Sequence, residues 1–402
     1  MKITSLETIR VGEHPNVIWV EIATDAGLVG LGETFFMPKA VEAYLHEWVA
    51  PRLLGKDPAP IETLVRGLRP YLGGRSAGVE TRGNSAVDIA LWDLRGKALN
   101  QPLSKLLGAT DRESIRIYNT CAGPEYMRRT QGQRRENWGL SAGGKYDDLN
   151  GFLHRPAELA SELLSEGITA MKIWPFDLAA EANDGLSISA AELQAALRPF
   201  EAIRASVGSA IDIMVEFHSH WLLSPALKIA RALRQFDTLW HEDPIRMESL
   251  GDLRRYAQVS WAPVCASETL AAVSGFRDLL ETGAAGIVML DLAWCGGLTE
   301  ARKIAAMAEA WRLPVAPHDC TGPVVLCAST HLCMAVHNAL VQETVRAYHR
   351  GWYQEAVDHV PPIQRGMISP PPGPGLGLSL HADLSKRFTV TRVRSDLEGL
   401  AR

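Results

Sequence analysis

The sequence predicts an α/β protein: a (β/α)8-type barrel with an α+β capping domain formed by the N-terminal segment and the C-terminal tail. Two observations predict this fold. Short β-branched runs alternate with helical stretches through the middle of the chain, a pattern typical of βα units around a parallel sheet. Ionisable residues follow these runs at intervals of 23–27 residues, which is about the length of one βα unit.

The first domain is predicted over residues 1–112. Residues 3–10, 17–23 and 28–33 alternate like strands, with a turn at residues 25–27, and therefore predict an antiparallel meander. A helical pattern follows from residue 41 to residue 98. Within it, Asn84 and Ser85 are expected to start a helix that stops near Pro102.

The barrel is predicted over residues 113–369. Its eight strands are expected at residues 115–120, 170–173, 211–215, 239–241, 264–266, 287–290, 314–317 and 340–342. Its helices are expected at residues 156–166, 190–206, 225–235, 275–281, 298–311 and 324–336. Residues 123–155 form an unusually long polar connection, which is typical of a lid, a binding loop or a disordered segment.

The remaining segment, 370–402, is predicted to return to the capping domain. Its Pro/Gly-rich stretch at 370–375 is incompatible with a helix or a central strand. We expect this stretch to lead the chain away from the barrel. A strand-like run at 387–394 then follows.

Composition narrows the functional class. The 402 residues are 47% hydrophobic and 22% charged, with a formal charge of −5. The chain therefore lacks the surplus of basic residues that would suggest a nucleic-acid partner. Neither an apolar run long enough to span a membrane nor a signal sequence is visible, and we expect a cytoplasmic protein without a membrane partner. The six cysteines form no CxxC pair and are expected to be reduced.

Six ionisable residues follow successive predicted strands and are expected to converge at one mouth of the barrel. They are Glu216, Glu242, Glu268, Asp291, His318 and Glu343. So many carboxylates need a cation, and three of them without thiolates favour Mg2+. We predict that Glu216, Glu242 and Glu268 bind it; the alternative is that such acids cap helices or pair with surface arginines.

Asp291 and His318 follow adjacent strands, so the carboxylate is expected to orient the imidazole and raise its basicity. His318 is therefore the predicted general base, and the alternative is a histidine packed behind Pro317. Glu343 is expected near the cation or a substrate oxygen, where a raised pKa would let it donate a hydrogen bond to a developing enolate. The alternative is that Glu343 has only a structural role.

Two motifs carry a family resemblance. Residues 85–97 read SAVDIALWDLRGK and continue through Gln101, Pro102 and Leu103 to Gly108, and Asp291 precedes a GGLTE run at residues 296–300. With the strand-end carboxylates, this sequence resembles the enolase superfamily, and within it the mandelate racemase-like branch, over essentially the whole chain. The resemblance implies that three carboxylates bind Mg2+ and that a His-Asp pair removes the proton α to a substrate carboxylate.

The second strand departs from the pattern of that branch. In the branch, the second strand usually ends in Lys-x-Lys. This chain has Lys172 at the first of these positions and Trp174 in place of the second lysine. Lys172 would neutralise the substrate carboxylate. A racemisation that uses two bases is disfavoured, because Trp174 cannot accept a proton; the alternative is that His218 serves as the second base.

The third strand resembles that of the aldonic-acid dehydratases of the branch, such as those acting on galactonate. In those enzymes a histidine two residues after the first metal ligand protonates the departing 3-hydroxyl, and His218 stands in that position relative to Glu216. In an extended segment residues i and i+2 share a face, so His218 is expected to face the same cavity. His220 is the alternative acid.

The resemblance implies a hydro-lyase: a Mg2+-dependent dehydratase that converts an aldonic or aldaric acid to a 2-keto-3-deoxy acid without an organic cofactor. One alternative is a racemase, epimerase or cycloisomerase that forms the same enediolate. The other is a non-catalytic, metal-dependent protein that binds sugar acids. The resemblance also suggests a homo-oligomer with a small-molecule acid sugar as its substrate.

The resemblance implies that loops of the capping domain select the substrate, and three segments of this chain are candidates for that role. Residues 35–37 and 72–76 are placed to reach over the barrel mouth, although both fit ordinary packing or turns. The connection at 123–155 carries aromatic residues and arginines, which are expected to grip a polar or doubly charged substrate, with a solvated loop as the alternative. The arginines and aromatic residues of this connection are Arg128, Arg129, Arg134, Arg135, Tyr126, Trp138 and Tyr146.

Overall fold

A computed structural model describes residues 1–69, 77–129, 134–140 and 143–400; the predicted loop at 72–76 lies outside them. The N-terminal sheet begins with the predicted antiparallel meander, which consists of β1 (Ile3–Val11), β2 (Val17–Thr24) and β3 (Val29–Phe35). A fourth strand, Val390–Asp396, pairs antiparallel with the other side of β1. The two ends of the chain thus share one sheet.

Helices cover one face of this sheet. They are α1 (Pro38–Tyr44), a π-helical turn (Leu45–Val49), α2 (Ala50–Leu53), α3 (Ile61–Leu68), α4 (Val79–Leu99) and α5 (Leu103–Leu106). The prediction that the long helix starts at Asn84 and Ser85 was wrong, because α4 begins at Val79. Its first turn is polar and lacks an apolar period, but the Arg82 side chain holds it by donating to the carbonyls of Ala77 and Phe35.

Two glycines allow α4 to lie directly on β3. A Cβ on Gly32 would collide with the carbonyl oxygen of Ala86, and one on Gly30 would collide with that of Ala90. Both obstacles are helix backbone and cannot rotate away. The close contact brings α4 onto the sheet and, through its other face, onto the barrel.

Gly32→Ala is therefore expected to lower the free energy of unfolding by about 1–3 kcal/mol, the usual range for overpacking a core. Gly67→Ala is the matched control, since Gly67 lies within α3 and a Cβ there meets nothing within 4 Å. The control should leave stability unchanged or raise it by up to about 1 kcal/mol. Urea denaturation measures both, and a wild-type midpoint for Gly32→Ala would contradict the packing.

The eight predicted parallel strands are all present and confirm the barrel. They are β4 (Ile115–Thr120), β5 (Ala170–Ile173), β6 (Asp212–Glu216), β7 (Trp240–Glu242), β8 (Val264–Ala266), β9 (Ala285–Leu290), β10 (Val315–Pro317) and β11 (Gln342–Thr344). They pair in order from β4 to β10, β11 returns to β4, and a bridge between Val315 and Ala339 closes the ring.

The interior of the barrel is a packed core rather than a channel, as expected for eight strands. Its buried residues come from every strand or its approach: Tyr118, Ala170, Met214, Trp240, Cys265, Ile287, Met289, Ala316 and Val341. Within the part of the chain that the structure describes, the interior therefore holds no functional site, and functional groups are expected at the end of the barrel where the strands finish.

Helices surround the barrel, and each predicted helix is found with its ends displaced by at most three residues. The barrel helices are α6 (Asp148–His154), α7 (Pro156–Ser165), α8 (Asp177–Asn183), α9 (Ala190–Val207), α10 (Leu223–Leu233), α11 (Leu250–Ala257), α12 (Ala272–Glu281), α13 (Gly297–Ala310), α14 (Pro323–Ala335), α15 (Arg346–His349) and α16 (Trp352–Ala356). Two 3-10 turns, Arg135–Asn137 and Arg234–Phe236, complete them. The long connection at 123–155 thus contains helical structure of its own.

The C-terminal segment crosses from the barrel to the N-terminal sheet. Its regular elements are β12 (Ile363–Gln364), β13 (Met367–Ile368), α17 (Leu384–Arg387), β14 (Val390–Asp396) and α18 (Leu397–Leu400). Between β13 and α17, the Asp93 carboxylate of α4 accepts a hydrogen bond from the backbone of Leu376 at 2.8 Å. The division of the chain after residues 112 and 369 stays a prediction.

Candidate active site

Three glutamates meet at the carboxyl end of the barrel strands. Glu216 and Glu242 are the last residues of β6 and β7 and lie opposite each other in the ladder, while Glu268 lies two residues beyond β8. One carboxylate oxygen from each lies within 4.8 Å of the others. The structure therefore brings together the three residues predicted to bind a metal, which we call the three-glutamate cluster.

Lys172 lies inside this acidic region. It is 2% exposed, and its Nζ is 2.5 Å from an oxygen of Glu242, 3.2 Å from one of Glu216 and 3.0 Å from one of Glu343. Burial alone would lower the pKa of Lys172, but the surrounding carboxylates raise it well above its usual value. The carboxylates therefore favour the charged form of this buried side chain.

Glu343 lies within β11, not after the strand as predicted, because β11 is shifted two residues along the chain. Its carboxylate accepts hydrogen bonds from the Thr120 hydroxyl and from the Asp319 backbone at 2.8 Å. Burial raises its pKa, but Lys172, His318 and these donors outweigh burial and lower the pKa to about 2. The predicted raised pKa was therefore wrong: the group is an acceptor and a charge, not a hydrogen-bond donor.

His318 and Asp291 form the predicted pair. Nδ1 of His318 donates to Asp291 at 2.7 Å, and Asp291 is fully buried and also accepts from the backbone of Ala293 at 2.6 Å. The second ring nitrogen of His318, Nε2, is 3.1 Å from Glu268. Asp291 thus holds one nitrogen and leaves the other directed at the three-glutamate cluster.

The charge around His318 favours its protonated form when no cation is bound. Burial alone would lower its pKa, but the carboxylates of Glu268, Glu343 and Asp291 raise it well above the usual value. A base must be neutral before it accepts a proton. Neutralisation of the nearby carboxylates therefore prepares His318 for that role.

The sequence reasoning missed an aromatic wall behind His318. The Trp294 ring lies 5.2 Å from the His318 ring between centroids, and the guanidinium of Arg82 lies 4.4 Å from the centroid of Trp294. Trp294 follows Asp291 by three residues, so the same loop supplies the residue that orients His318 and the residue that packs on it. The sequence alone held no signal that separated this tryptophan from a core residue.

His218 has an orienting carboxylate that the sequence reasoning also missed. Its Nδ1 lies 2.6 Å from Oδ2 of Asp177, the first residue of α8. Burial alone would lower the pKa of His218, but Asp177 and Glu216 raise it to about 9. His218 is thus protonated at neutral pH and can donate a proton.

The geometric reason given for His218 was wrong, although the residue does line the cavity with Glu216. His218 and Ser219 have left-handed φ values of 47° and 55°, so the chain turns after Glu216 instead of continuing as a strand. Two backbone N–H groups of this turn, those of Phe217 and His218, donate to Glu216 at 2.9 and 2.7 Å. The turn therefore fixes the first glutamate and aims the histidine together.

The site cavity is closed by aromatic and thioether side chains from other parts of the chain. Phe35 and Phe36 come from the end of β3, and Tyr126 and Met127 come from the connection after β4. Met37, predicted to act with the two phenylalanines, lines a neighbouring cavity instead. Parts of the predicted segments 35–37 and 123–155 thus line the cavity.

The four arginines of the connection do not line this cavity in the described residues. Arg128 contacts the His14 ring at 2.6 Å, Trp138 is 2% exposed in the core, and Tyr146 lies in another pocket beside Arg346 and Arg350. The role of these arginines in gripping a substrate stays a prediction.

The residues present fit a divalent cation with oxygen ligands. Burial raises the pKa of Glu242, and the neighbouring Glu216 carboxylate raises it further, which is the expected effect of like charges crowded together. In the described residues, the ion pairs of the three-glutamate cluster involve only Lys172 and His318 as partners. Oxygen ligands without a thiolate favour a hard cation.

A capped barrel that gathers carboxylates and an oriented histidine at one mouth defines a class of metal-assisted barrel enzymes. The N-terminal domain model of mandelate racemase / muconate lactonizing enzyme matches residues 4–108, and the enolase C-terminal domain-like model matches residues 155–384. The chain therefore belongs to the enolase superfamily, in its mandelate racemase-like branch, whose members are metal-dependent. The predicted family and fold class are confirmed.

Curated relatives span nearly the whole chain. A D-galactonate dehydratase of Ralstonia nicotianae is 31% identical over 98% of this chain and 95% of its own length. Another, of Variovorax paradoxus, is 31% identical over 95% of this chain and 93% of its own length. These relatives confirm that the chain is an enzyme of the hydro-lyase class.

Solved structures agree with this assignment. A crystal structure of an enolase of the mandelate racemase subgroup from Agrobacterium tumefaciens has a TM-score of 0.90 and 56% identity, covering 99% of this chain and 100% of that one. An enolase protein from Sargasso Sea environmental sequencing has a TM-score of 0.87 and 41% identity, covering 98% of this chain and 99% of that one.

Within the described residues, every helix is too short or too polar to cross a membrane.

Proposed function

We propose that this protein is a Mg2+-dependent dehydratase of an aldonic or aldaric acid, giving a 2-keto-3-deoxy acid. The observation that carries the proposal is the presence of two separately oriented histidines on one cavity, the His318–Asp291 pair and the His218–Asp177 pair. An elimination needs a base for the α-proton and an acid for the leaving hydroxyl. The similarity to D-galactonate dehydratases supports the same reaction class.

The second strand supports elimination over racemisation. Trp174 is 1% exposed and packs against Phe152 and Tyr126, with ring centroids 5.2 and 5.5 Å away. It serves as a wall of the site and cannot exchange a proton. A racemase would need a second base, and His218 is held as a protonated acid by Asp177.

The proposed roles follow from the positions of the side chains. Lys172 neutralises charge on the substrate carboxylate as the α-proton leaves, and His318 accepts that proton at Nε2 while Asp291 holds Nδ1. His218 then protonates the 3-hydroxyl as it departs from the enediolate. Glu343 keeps Lys172 in place through their 3.0 Å ion pair.

The three-glutamate cluster would hold the Mg2+. When bound, this ion acidifies the α-proton by drawing electron density from the substrate carboxylate. Phe35, Phe36 and Tyr126 line the same space, and their apolar surfaces lower the local polarity, which strengthens electrostatic contacts. We also propose that the protein is cytoplasmic and forms a homo-oligomer.

Proton NMR in D2O tests the function. The purified protein with Mg2+ is incubated with pools of aldonic and aldaric acids, and an EDTA-treated sample is the control. We expect a deuterated 3-deoxy-2-keto acid to form only with Mg2+. Exchange at the α-carbon without a ketone would support an epimerase instead, and neither change in any pool would support the non-catalytic binding protein.

His218→Asn is expected to separate the two chemical steps. Loss of the acid should slow dehydration by about 100-fold, at the lower end for general acid catalysis, while α-proton exchange survives because the His318–Asp291 pair is intact. The two rates can be read from one D2O time course. Equal loss of exchange and dehydration would mean that His218 serves both steps.

A further inference from the structure

A second group of possible metal ligands lies beside the three-glutamate cluster. Asp177, His218 and His220 each place one ligand atom within 4.8 Å of the others. The left-handed turn at His218 and Ser219 brings the two imidazoles to the same carboxylate, with ring centroids 6.1 Å apart. None of the three belongs to the three-glutamate cluster.

One carboxylate oxygen of this group has no hydrogen-bond partner among the described residues. Asp177 is 1% exposed, and its Oδ2 bonds His218 while its Oδ1 is buried without a hydrogen-bond partner in the described residues. Buried carboxylate oxygens are normally paired, so this oxygen is a candidate ligand for a bound ion.

The donor set differs from that of the three-glutamate cluster. Two imidazole nitrogens and one carboxylate oxygen suit borderline cations such as Zn2+ and Co2+, and three protein ligands leave a position for water. Mg2+ prefers oxygen ligands in an octahedral arrangement. The donor atoms of the two neighbouring groups therefore favour different metals.

We propose that Asp177, His218 and His220 form a second metal site, specific for a borderline divalent cation and inhibitory when occupied. Metal–ligand bonds of roughly 2.0–2.2 Å hold two ligand atoms further apart than the 2.6 Å between His218 and Asp177. The bound metal thus replaces the proton on Nδ1 that this pair shares. The Nε2–H that remains belongs to an uncharged imidazole, which is a far weaker acid than imidazolium, so His218 no longer protonates a leaving hydroxyl effectively. The inhibitory effect rests on the proposed function, in which His218 is the acid, whereas binding of the metal does not.

Cobalt titration tests the site in the full-length protein. With Mg2+ saturating, the wild type is expected to bind one additional equivalent of Co2+ and to develop the visible absorption of a nitrogen-ligated ion. His220→Asn should bind this Co2+ at least about tenfold more weakly. His359→Asn is the matched control, because His359 is 61% exposed at the surface, and it should bind like the wild type.

Two results would overturn the site: displacement of all Co2+ by Mg2+, or unchanged Co2+ affinity in a folded His220→Asn. Circular dichroism checks that the variant is folded. Should the variant unfold, 15N-histidine labelling of the wild type still decides the matter. Zn2+ should shift the ring nitrogens of two histidines under saturating Mg2+, and unshifted rings would rule the site out.

The inhibitory role is tested by following dehydration and α-proton exchange together. Zn2+ is expected to suppress dehydration and spare exchange, and His220→Asn should need at least about tenfold more Zn2+ relative to its own zinc-free rate. Parallel loss of both rates, reversed by more Mg2+, would place Zn2+ at the three-glutamate cluster and contradict inhibition through His218. No dehydration in zinc-free wild type would refute the proposed function, while the Co2+ titration would still decide the second site.

Discussion

His318→Asn is expected to lower the rate of α-proton exchange by about 100- to 10,000-fold, the range for loss of a general base. The variant keeps a polar side chain of similar size but has no nitrogen that can accept a proton at Nε2. Dehydration should fall by the same factor, because it depends on prior removal of that proton. Proton NMR in D2O with Mg2+ measures both rates in one sample.

Metal affinity is the control for this variant. His318 contacts Glu268 at 3.1 Å but is not one of the three glutamates, so Mg2+ binding measured by calorimetry should stay within a few-fold of the wild type. Retained exchange would remove His318 from the base role. Lost exchange together with lost Mg2+ binding would mean instead that the substitution had disrupted the cluster.

The sequence was sufficient to predict the barrel and the convergence of its strand-end residues. Each βα unit repeats the same direction of the chain, so acids at a constant interval must gather at one end of the barrel. Glu216, Glu242 and Glu268 meet for this reason, and small errors in strand ends do not matter. Asp291 and His318 meet because their strands are neighbours.

The sequence could not predict what depends on contacts between distant segments. The pKa of Glu343 is low because Lys172 and the backbone of Asp319 come from two other βα units. His218 bonds Asp177, which is 41 residues away in the sequence. A left-handed turn at His218 and Ser219 aims the histidine at this carboxylate, and residue patterns do not specify such a turn. Trp294 was missed because a single tryptophan in an apolar stretch is indistinguishable from a core residue until His318 is seen beside it.

Lys172→Met is expected to affect both stability and catalysis. In the wild type the Lys172 ammonium contacts Glu216, Glu242 and Glu343 in a buried space, and removing one partner of a buried charge group costs about 3–5 kcal/mol. Turnover should fall by about 100- to 1,000-fold, as it does when one group that stabilises developing negative charge is lost. Urea denaturation of the metal-free protein and NMR turnover assays measure the two effects.

Mg2+ should partly restore the stability of Lys172→Met, because carboxylates released from the ammonium are free to bind the ion and a ligand that binds only the folded state stabilises it. The increase in melting temperature on adding Mg2+ is therefore expected to be larger in the variant than in the wild type. Lys303→Met is the matched control, since Lys303 pairs with Glu62 at the exposed surface and should show the wild-type increase. Unchanged metal-free stability in Lys172→Met would mean that the acidic region tolerates its charge without this lysine. If Mg2+ raised the melting temperature of the variant and of the wild type equally, the lysine would not compete with the metal for the glutamates.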